Sequence, residues 1–122
     1  MALSPRMFNR ARMTTATVGT GTITLGAAQT NAFLTFAEAG VPDGATVRYV
    51  IEDGSNVEGG QGTYTASGTT MSRDLVTFSK IAGVAGTSLV SLSGSAIVFL
   101  DTLAFDLETY EFAQNAHIYG AL

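Results

Sequence analysis

The 122 residues include no cysteine, are 46% hydrophobic and 13% charged, and carry a net charge of −4. This length allows one domain with one core, the composition excludes a disordered chain, and the lack of cysteine excludes disulfides, cysteine nucleophiles and thiolate metal sites. The acidic balance argues against a nucleic-acid partner, and because no run of about 18 apolar residues exists, we expect no membrane span and no membrane partner.

Residues 1–13 are predicted to form an N-terminal arm. Pro5 interrupts any early helix, and the apolar side chains of this stretch follow no period. The arm holds half of the six lysine and arginine residues, and it lacks the apolar stretch of a signal peptide. We expect it to become ordered against a partner through Arg6, Phe8, Arg10 and Arg12.

The segment from Thr14 to Leu25 predicts a strand with one polar face, because threonine alternates there with glycine or an apolar residue. Gly19 and Gly21 would weaken such a strand, so we expect a bulge or a close backbone neighbour at these positions.

Residues 30–39 interrupt this β pattern. Phe33 and Phe36 stand at helical spacing, which predicts a short helix or helical turn near residues 32–39, capped by Thr30 or Asn31. Both phenylalanines are expected in the core.

The clearest strand is predicted from Ala45 to Glu52. Its residues alternate between two sets, Val47, Tyr49 and Ile51 in one and Thr46, Arg48, Val50 and Glu52 in the second. The dipeptides Asp53-Gly54 and Ser67-Gly68 are turn signals that separate further strands over residues 57–66 and 69–78. Three glycines, Gly59, Gly60 and Gly62, leave the middle strand without side chains, so that another backbone or an aromatic ring could lie against it.

The remaining β pattern predicts the fold class. Residues 80–87 read as a glycine-rich loop without the residue order of a phosphate-binding loop, and two more strands are expected over 88–92 and 95–100. Residues 97–100 are all apolar, as in a strand buried on both faces. We therefore predict an all-β domain over residues 14–100, a small antiparallel sandwich or barrel of about six to seven strands with one short helical turn.

Residues 101–122 are predicted to be a C-terminal tail, which is acidic, lacks lysine and arginine, and is too apolar to remain free. It should pack on its own domain or on a neighbour, and its acidic side chains could pair with the basic arm. The residues expected to bind a partner are Phe105, Tyr110, Phe112 and Tyr119.

No constellation of residues indicates an enzyme, a metal site or a cofactor. His117, the only histidine, has no recognisable carboxylate partner. Glu52 and Asp53 are adjacent and would point to opposite faces of a strand, and the residues from Asp53 to Glu58 lack the order of a calcium-binding loop. We expect no catalytic residues and no cofactor.

Arg48 and Arg73 are placed within predicted strands, where a buried guanidinium needs a partner. The candidate partners are Glu52, Glu58 and Asp74. A salt bridge across the sheet is preferred here over a contact between subunits.

Two motifs resemble those of a small β-module of bacteriophage and prophage virion proteins. They are GTGTITL, residues 19–25, and YVIEDGSNVEGGQGTYTASGTTMSR, residues 49–73. The resemblance implies a virion component that is made in the host cytoplasm, commonly as a symmetric oligomer. We expect a homo-oligomer, with a trimer favoured, that binds the phage capsid or another virion protein.

Two functions follow from this resemblance. The first is a capsid decoration or cement protein, or the base of a head spike, that binds the capsid surface. The alternative is a tail-fibre or tail-associated module that binds a receptor or carbohydrate. Sugar sites usually stack rings on exposed aromatics, and the chain has no tryptophan and ends at Leu122 without a further receptor-binding region. Both observations favour the capsid protein.

Overall fold

The computed structural model describes residues 8–101, which form ten β-strands and no helix. Their bounds are β1 Arg12–Thr15, β2 Val18–Gly19, β3 Ile23–Ala28, β4 Thr46–Asp53, β5 Asn56–Thr65, β6 Thr70–Met71, β7 Leu75–Ile81, β8 Val84–Gly86, β9 Leu92–Ser93 and β10 Ala96–Leu100. The all-β prediction is therefore confirmed.

Six of these strands close into an antiparallel barrel. The order is β4-β10-β1-β3-β6-β5, and pairing between β4 and β5 completes the ring. Strands β7 and β8 extend the sheet outward from β5, and β2 pairs with β9 as a separate two-stranded ribbon. Closure removes the open edges that a flat sheet of these short strands would expose.

Alternate side chains of β4 point into the barrel, as the sequence predicted. Val47, Tyr49 and Ile51 are each 0% exposed, and the two-residue turn at Gly54 and Ser55 joins β4 to β5 in full register. Other strands contribute further buried residues, among them Met13, Ile23, Leu25, Tyr64, Met71, Ala96 and Val98. One apolar core thus fills the barrel.

The glycines of β5 permit three close approaches, as the sequence analysis expected. A Cβ atom on Gly59 would lie 2.1 Å from the ring of Phe78. A Cβ on Gly60 would lie 2.0 Å from the carbonyl oxygen of Leu75, and one on Gly62 would lie 2.0 Å from that of Ser72. The backbone of residues 72–75 therefore lies directly against β5, where no side chain could be accommodated.

The segment before β4 contains one turn, in which the Ala39 N–H donates to the Thr35 carbonyl oxygen at 2.9 Å, and no helix, so only the turn of the predicted short helix or helical turn forms. Thr35 and Glu38 cap each other reciprocally: the Glu38 backbone N–H donates to Thr35 Oγ1 at 3.1 Å, and the Thr35 N–H donates to Glu38 Oε1 at 2.9 Å. The predicted caps, Thr30 and Asn31, lie upstream of this turn.

The two phenylalanines of this segment have different environments. Phe36 is 0% exposed and packs against the ring of Tyr64, with 5.6 Å between ring centroids. Phe33 is only half-buried and lies under the guanidinium of Arg10, so its assignment to the core was wrong. The helical spacing misled because a single capped turn directs only Phe36 inward.

Several strand boundaries differ from the sequence prediction. Arg12 and Met13, assigned to the N-terminal arm, begin β1, and Met13 is only 2% exposed. The segment predicted as one strand over residues 14–25 is divided into parts of β1, β2 and β3. Residues 72–74, inside the strand predicted over 69–78, form a loop between β6 and β7.

In the last third of the domain, too, the strands differ from those predicted from the sequence. The predicted loop at residues 80–87 is largely the β7–β8 hairpin, which turns at Ala82 and Gly83 with φ angles of 51° and 82°. Of the strand predicted over residues 88–92, only Leu92 lies in a strand. In β10, Val98 is buried but Ile97 and Phe99 are half-exposed, so this strand is not buried on both faces.

We expect Gly62→Ala to lower the free energy of unfolding by about 1–3 kcal/mol, because the added methyl group would force β5 away from Ser72. Gly21→Ala is the matched control, since a Cβ there would have no neighbour within 4 Å. Urea unfolding of both variants measures the difference. Equal losses in the two variants would contradict the steric role of Gly62.

Candidate functional site

A buried ion pair lies inside the barrel, and its acidic member is Glu58 of β5. The Glu58 side chain is 0% exposed, and the side chain of its partner Arg73 is 1% exposed. Arg73 Nε donates to Glu58 Oε2 at 3.0 Å, and Arg73 Nη2 donates to Glu58 Oε1, which gives a bidentate contact. The sequence analysis named Glu58 among the candidate partners of Arg73, and the preferred intramolecular salt bridge is confirmed.

Arg73 also satisfies backbone carbonyl groups from two other segments. Its Nη2 donates to the carbonyl oxygen of Val90 at 2.6 Å, and its Nη1 donates to those of Gly19 at 3.2 Å and Gly21 at 3.4 Å. The close backbone neighbour expected at Gly19 and Gly21 is not present, since a Cβ atom at either position would have nothing within 4 Å; the buried guanidinium instead contacts their carbonyl oxygens. Arg73 does not lie in a strand, as predicted, but in the loop that crosses the glycines of β5.

Glu58 accepts two further hydrogen bonds. The Tyr49 hydroxyl donates to Oε2 at 2.6 Å, and the backbone N–H of Val90 donates to Oε1 at 2.7 Å. Burial first, and then the hydrogen bond to the Glu58 carboxylate, raise the pKa of Tyr49 above its usual range. Within residues 8–101, every buried polar side-chain atom has a hydrogen-bond partner. The cluster is therefore electrostatically satisfied and closed to solvent.

The predicted partner-binding residues of the N-terminal arm that the structure describes contact their own domain. Phe8 packs partly buried against the core. Arg10 donates from Nε to the carbonyl oxygen of Ala32 and stacks 4.3 Å from the Phe33 ring centroid. Arg12 pairs with Glu52 at 3.0 Å and stacks 4.5 Å from the Phe99 ring centroid. Arg6, Phe105, Tyr110, Phe112, Tyr119 and His117 lie outside the described residues.

A second feature is an apolar row on the outside of the sheet. The strand registers place Phe99 opposite Val50, Val50 opposite Gly59, and Gly59 opposite Phe78. Directly paired residues share a face, and this face is the outer one because the neighbouring residues Tyr49 and Glu58 point into the core. Phe78 is 40% exposed and Phe99 is half-buried, whereas Val50 between them is only 7% exposed, so the row presents mainly the Phe78 ring to solvent.

Polar and charged residues border this row. Arg12 lies opposite Phe99, Arg48 lies opposite Gln61, and Lys80 lies in β7 two positions from Phe78. Leu75, also opposite Gln61, is 57% exposed. We call this surface the outer sheet face, and it comprises Arg12, Arg48, Val50, Leu75, Phe78, Lys80 and Phe99.

Sequence reasoning missed the outer sheet face. It treated Val50 only as part of the second set of alternating residues in β4. Val50 could have indicated an apolar patch on this face, because it is apolar where Thr46, Arg48 and Glu52 on the same face are polar. The pairing of Val50 with Phe99 could not be predicted, because β4 and β10 are far apart in sequence.

The described residues show no arrangement typical of a catalytic or metal centre. Residues 8–101 hold no group of three or more histidine, cysteine or acidic side chains that could bind a metal ion. A shallow depression of about 240 Å³ lies between β1 and β10, and the side chains that line it, such as Thr14, Thr15 and Ser95, are not ionisable. The described part of the chain also lacks a helix long and apolar enough to cross a membrane.

No protein-family model matches this chain, and no match was found among curated proteins or among solved structures.

We expect Glu58→Gln to reduce the free energy of unfolding by about 3–5 kcal/mol, because it leaves the buried Arg73 guanidinium without its counter-charge. Glu52→Gln is the control. It removes a carboxylate of the same kind from the exposed Arg12 pair and should cost about 1 kcal/mol or less. Denaturant unfolding compares the two variants, and a similar small loss in both would refute a structural role for the buried pair.

The raised pKa of Tyr49 predicts a loss of stability in alkaline solution. A tyrosine that holds its proton more tightly when folded contributes its full stability below the unfolded pKa of about 10, and this contribution falls as pH rises further. The free energy of unfolding should therefore decline above about pH 10. Tyr49→Phe should flatten that decline, whereas Tyr64→Phe, which leaves the Tyr49 hydroxyl in place, should retain it. An unchanged slope in Tyr49→Phe would refute the assignment.

Proposed function

We propose that this chain is a non-enzymatic structural protein of a bacteriophage virion, a capsid decoration or cement protein or a head-spike base that binds the capsid surface as a homo-oligomer. The proposal rests on the resemblance of residues 19–25 and 49–73 to a virion β-module and on one structural observation. That observation is that the charged side chains of the described residues are bound mostly within the domain itself.

Nearly all of these charged side chains make contacts that hold the fold. Asp53 accepts hydrogen bonds from the backbone and hydroxyl of Ser93, and Asp43 accepts one from the Ala66 N–H. Asp74 accepts from Thr63, and Glu38 caps the turn at Thr35. Glu58 and Arg73 are wholly buried. A domain whose ionisable groups are used in this way is suited to mechanical support rather than to reaction chemistry.

The surface supports an assembly role. Only 13% of the residues are charged, which is low for a protein surface that faces water throughout. Val18, Leu75, Phe78 and Val84 are exposed by 40% or more, and apolar side chains of this kind are what interfaces bury. In this proposal the attachment to the particle uses the two chain ends, with Arg6 on one side and Tyr110, Phe112 and Tyr119 on the other.

The test uses phage particles produced with and without this chain. We expect particles that lack it to release DNA at a lower temperature while adsorbing to host cells normally, and purified full-length protein should restore the heads. Loss of adsorption with intact heads would instead favour the tail-associated receptor module. Absence of the chain from purified particles would refute both virion functions.

Truncation then locates the attachment. Deletion of residues 1–7 or of 104–122 removes sequence outside the described domain, whereas deletion through residue 13 would also remove the buried Met13 from β1. We expect both shorter deletions to fold, as judged by circular dichroism, and to bind particles at reduced occupancy. Full occupancy of both would exclude the chain ends as the attachment device.

A further inference from the structure

We propose that the outer sheet face is the docking site for the C-terminal segment of a second copy of this chain, residues 102–108. This inference rests on the homo-oligomer of the proposed function, but it does not depend on the virion. Three observations carry it: the chemistry of the face, the chemistry of the segment, and the place where the described chain ends.

The face combines an apolar centre with a cationic border. Its centre is the row Phe99, Val50 and Phe78, which spans three strand spacings, or roughly 14 Å. Val50 is 7% exposed, so the accessible apolar area comes mainly from Phe78 and from Leu75 beside it. Its border carries the cations Arg12, Arg48 and Lys80; Arg12 is paired with Glu52, and Arg48 Nη1 donates to Gln61 Oε1 at 2.6 Å. An apolar row bordered by cations is complementary to a peptide that is both apolar and acidic.

The C-terminal segment has that composition. Leu103, Phe105 and Leu107 occupy alternate positions, and Asp106 and Glu108 stand between or beside them. After Lys80 the chain contains no lysine or arginine, so the acidic charge of the segment is not neutralised by its own neighbours in sequence. In contact with the outer sheet face, its acids would lie within about one Debye length of the border cations.

The described chain ends beside this face. Leu100 pairs with Tyr49, and the Asp101 N–H donates to the Arg48 carbonyl oxygen at 3.1 Å. From residue 102 to residue 114 the sequence contains no glycine, proline, asparagine or serine, and Asp106 is the one residue there of the types that favour a tight reversal onto the same sheet. A second copy is therefore the better acceptor. Each copy then donates one segment and receives one, an arrangement that closes as a ring such as a trimer.

Disulfide trapping in the full-length protein tests this arrangement, since the natural chain has no cysteine to interfere. One preparation carries Leu107→Cys in the segment, and a second carries Leu75→Cys on the outer sheet face. Mixed and oxidised, they should yield a covalent heterodimer. The control partner is Thr24→Cys, which is exposed on β3 across the barrel from β4 and should yield little product. Equal yields with the two partners would overturn the proposal.

A chain carrying both Leu75→Cys and Leu107→Cys distinguishes docking of the segment on a second copy, called exchange here, from docking on its own domain. Exchange predicts covalent oligomers from this chain, whereas a disulfide formed only within single chains would overturn docking on a second copy. These measurements use purified protein and no phage particles. Their result on docking between copies is therefore independent of whether the protein is found in particles, and the two proposals can fail separately.

Charge reversal tests the electrostatic part. Asp106→Lys with Glu108→Lys should weaken self-association by about tenfold in sedimentation equilibrium at low salt. Lys80→Glu added to that variant should recover part of the loss, because it restores opposite charges across the interface. Unchanged self-association in the first variant, or no recovery in the second, would count against this docking site.

Discussion

The bidentate contact between Glu58 and Arg73 is the constraint on which the remainder of the structure depends. An ion pair withdrawn from water is costly unless every remaining donor and acceptor is satisfied. Here the satisfying groups come from Tyr49 in β4, from Val90, and from the backbone at Gly19 and Gly21. Segments distant in sequence must therefore be in place together before the pair is stable. These contacts hold the segments that carry the small β2–β9 ribbon against the barrel. They fix the position of a ribbon that is too short to be stable alone.

The glycines of β5 explain how Arg73 reaches its partner. Its loop can lie against β5 only because Gly60 and Gly62 have no side chains, and the carbonyl oxygens of Leu75 and Ser72 occupy the positions where Cβ atoms would be. The same strand places the Phe78 ring over Gly59 on the outside. A cluster of small residues in one strand thus has two effects: it allows an ion pair to form inside the barrel, and it creates an aromatic surface outside.

The sequence was sufficient to predict those parts of the fold that depend on local patterns. The alternation of Val47, Tyr49 and Ile51 identified β4, and the glycine cluster predicted a ring or backbone lying against β5. Of the predicted short helix or helical turn near residues 32–39, only a single capped turn forms, because two aromatic residues at helical spacing are compatible with either. Glu58 was only one of three candidates for Arg73, since choosing among them requires the pairing of strands far apart in sequence. The outer sheet face was invisible for the same reason, because its members come from four separate strands.

The contrast between the two faces of the sheet bears on assembly. Inside, the polar groups are fully satisfied, so the domain gains nothing from a partner there. Outside, Phe78 and Leu75 remain exposed beside Lys80, although the barrel is already closed and needs no further strand. Phe78 covers Gly59, yet it remains 40% exposed and Leu75 remains 57% exposed. Each would therefore gain part of the roughly 1.5–3 kcal/mol that full burial of an apolar side chain contributes. Contact with another molecule would bury these side chains, and the neighbouring Lys80 would favour a molecule that carries acidic groups.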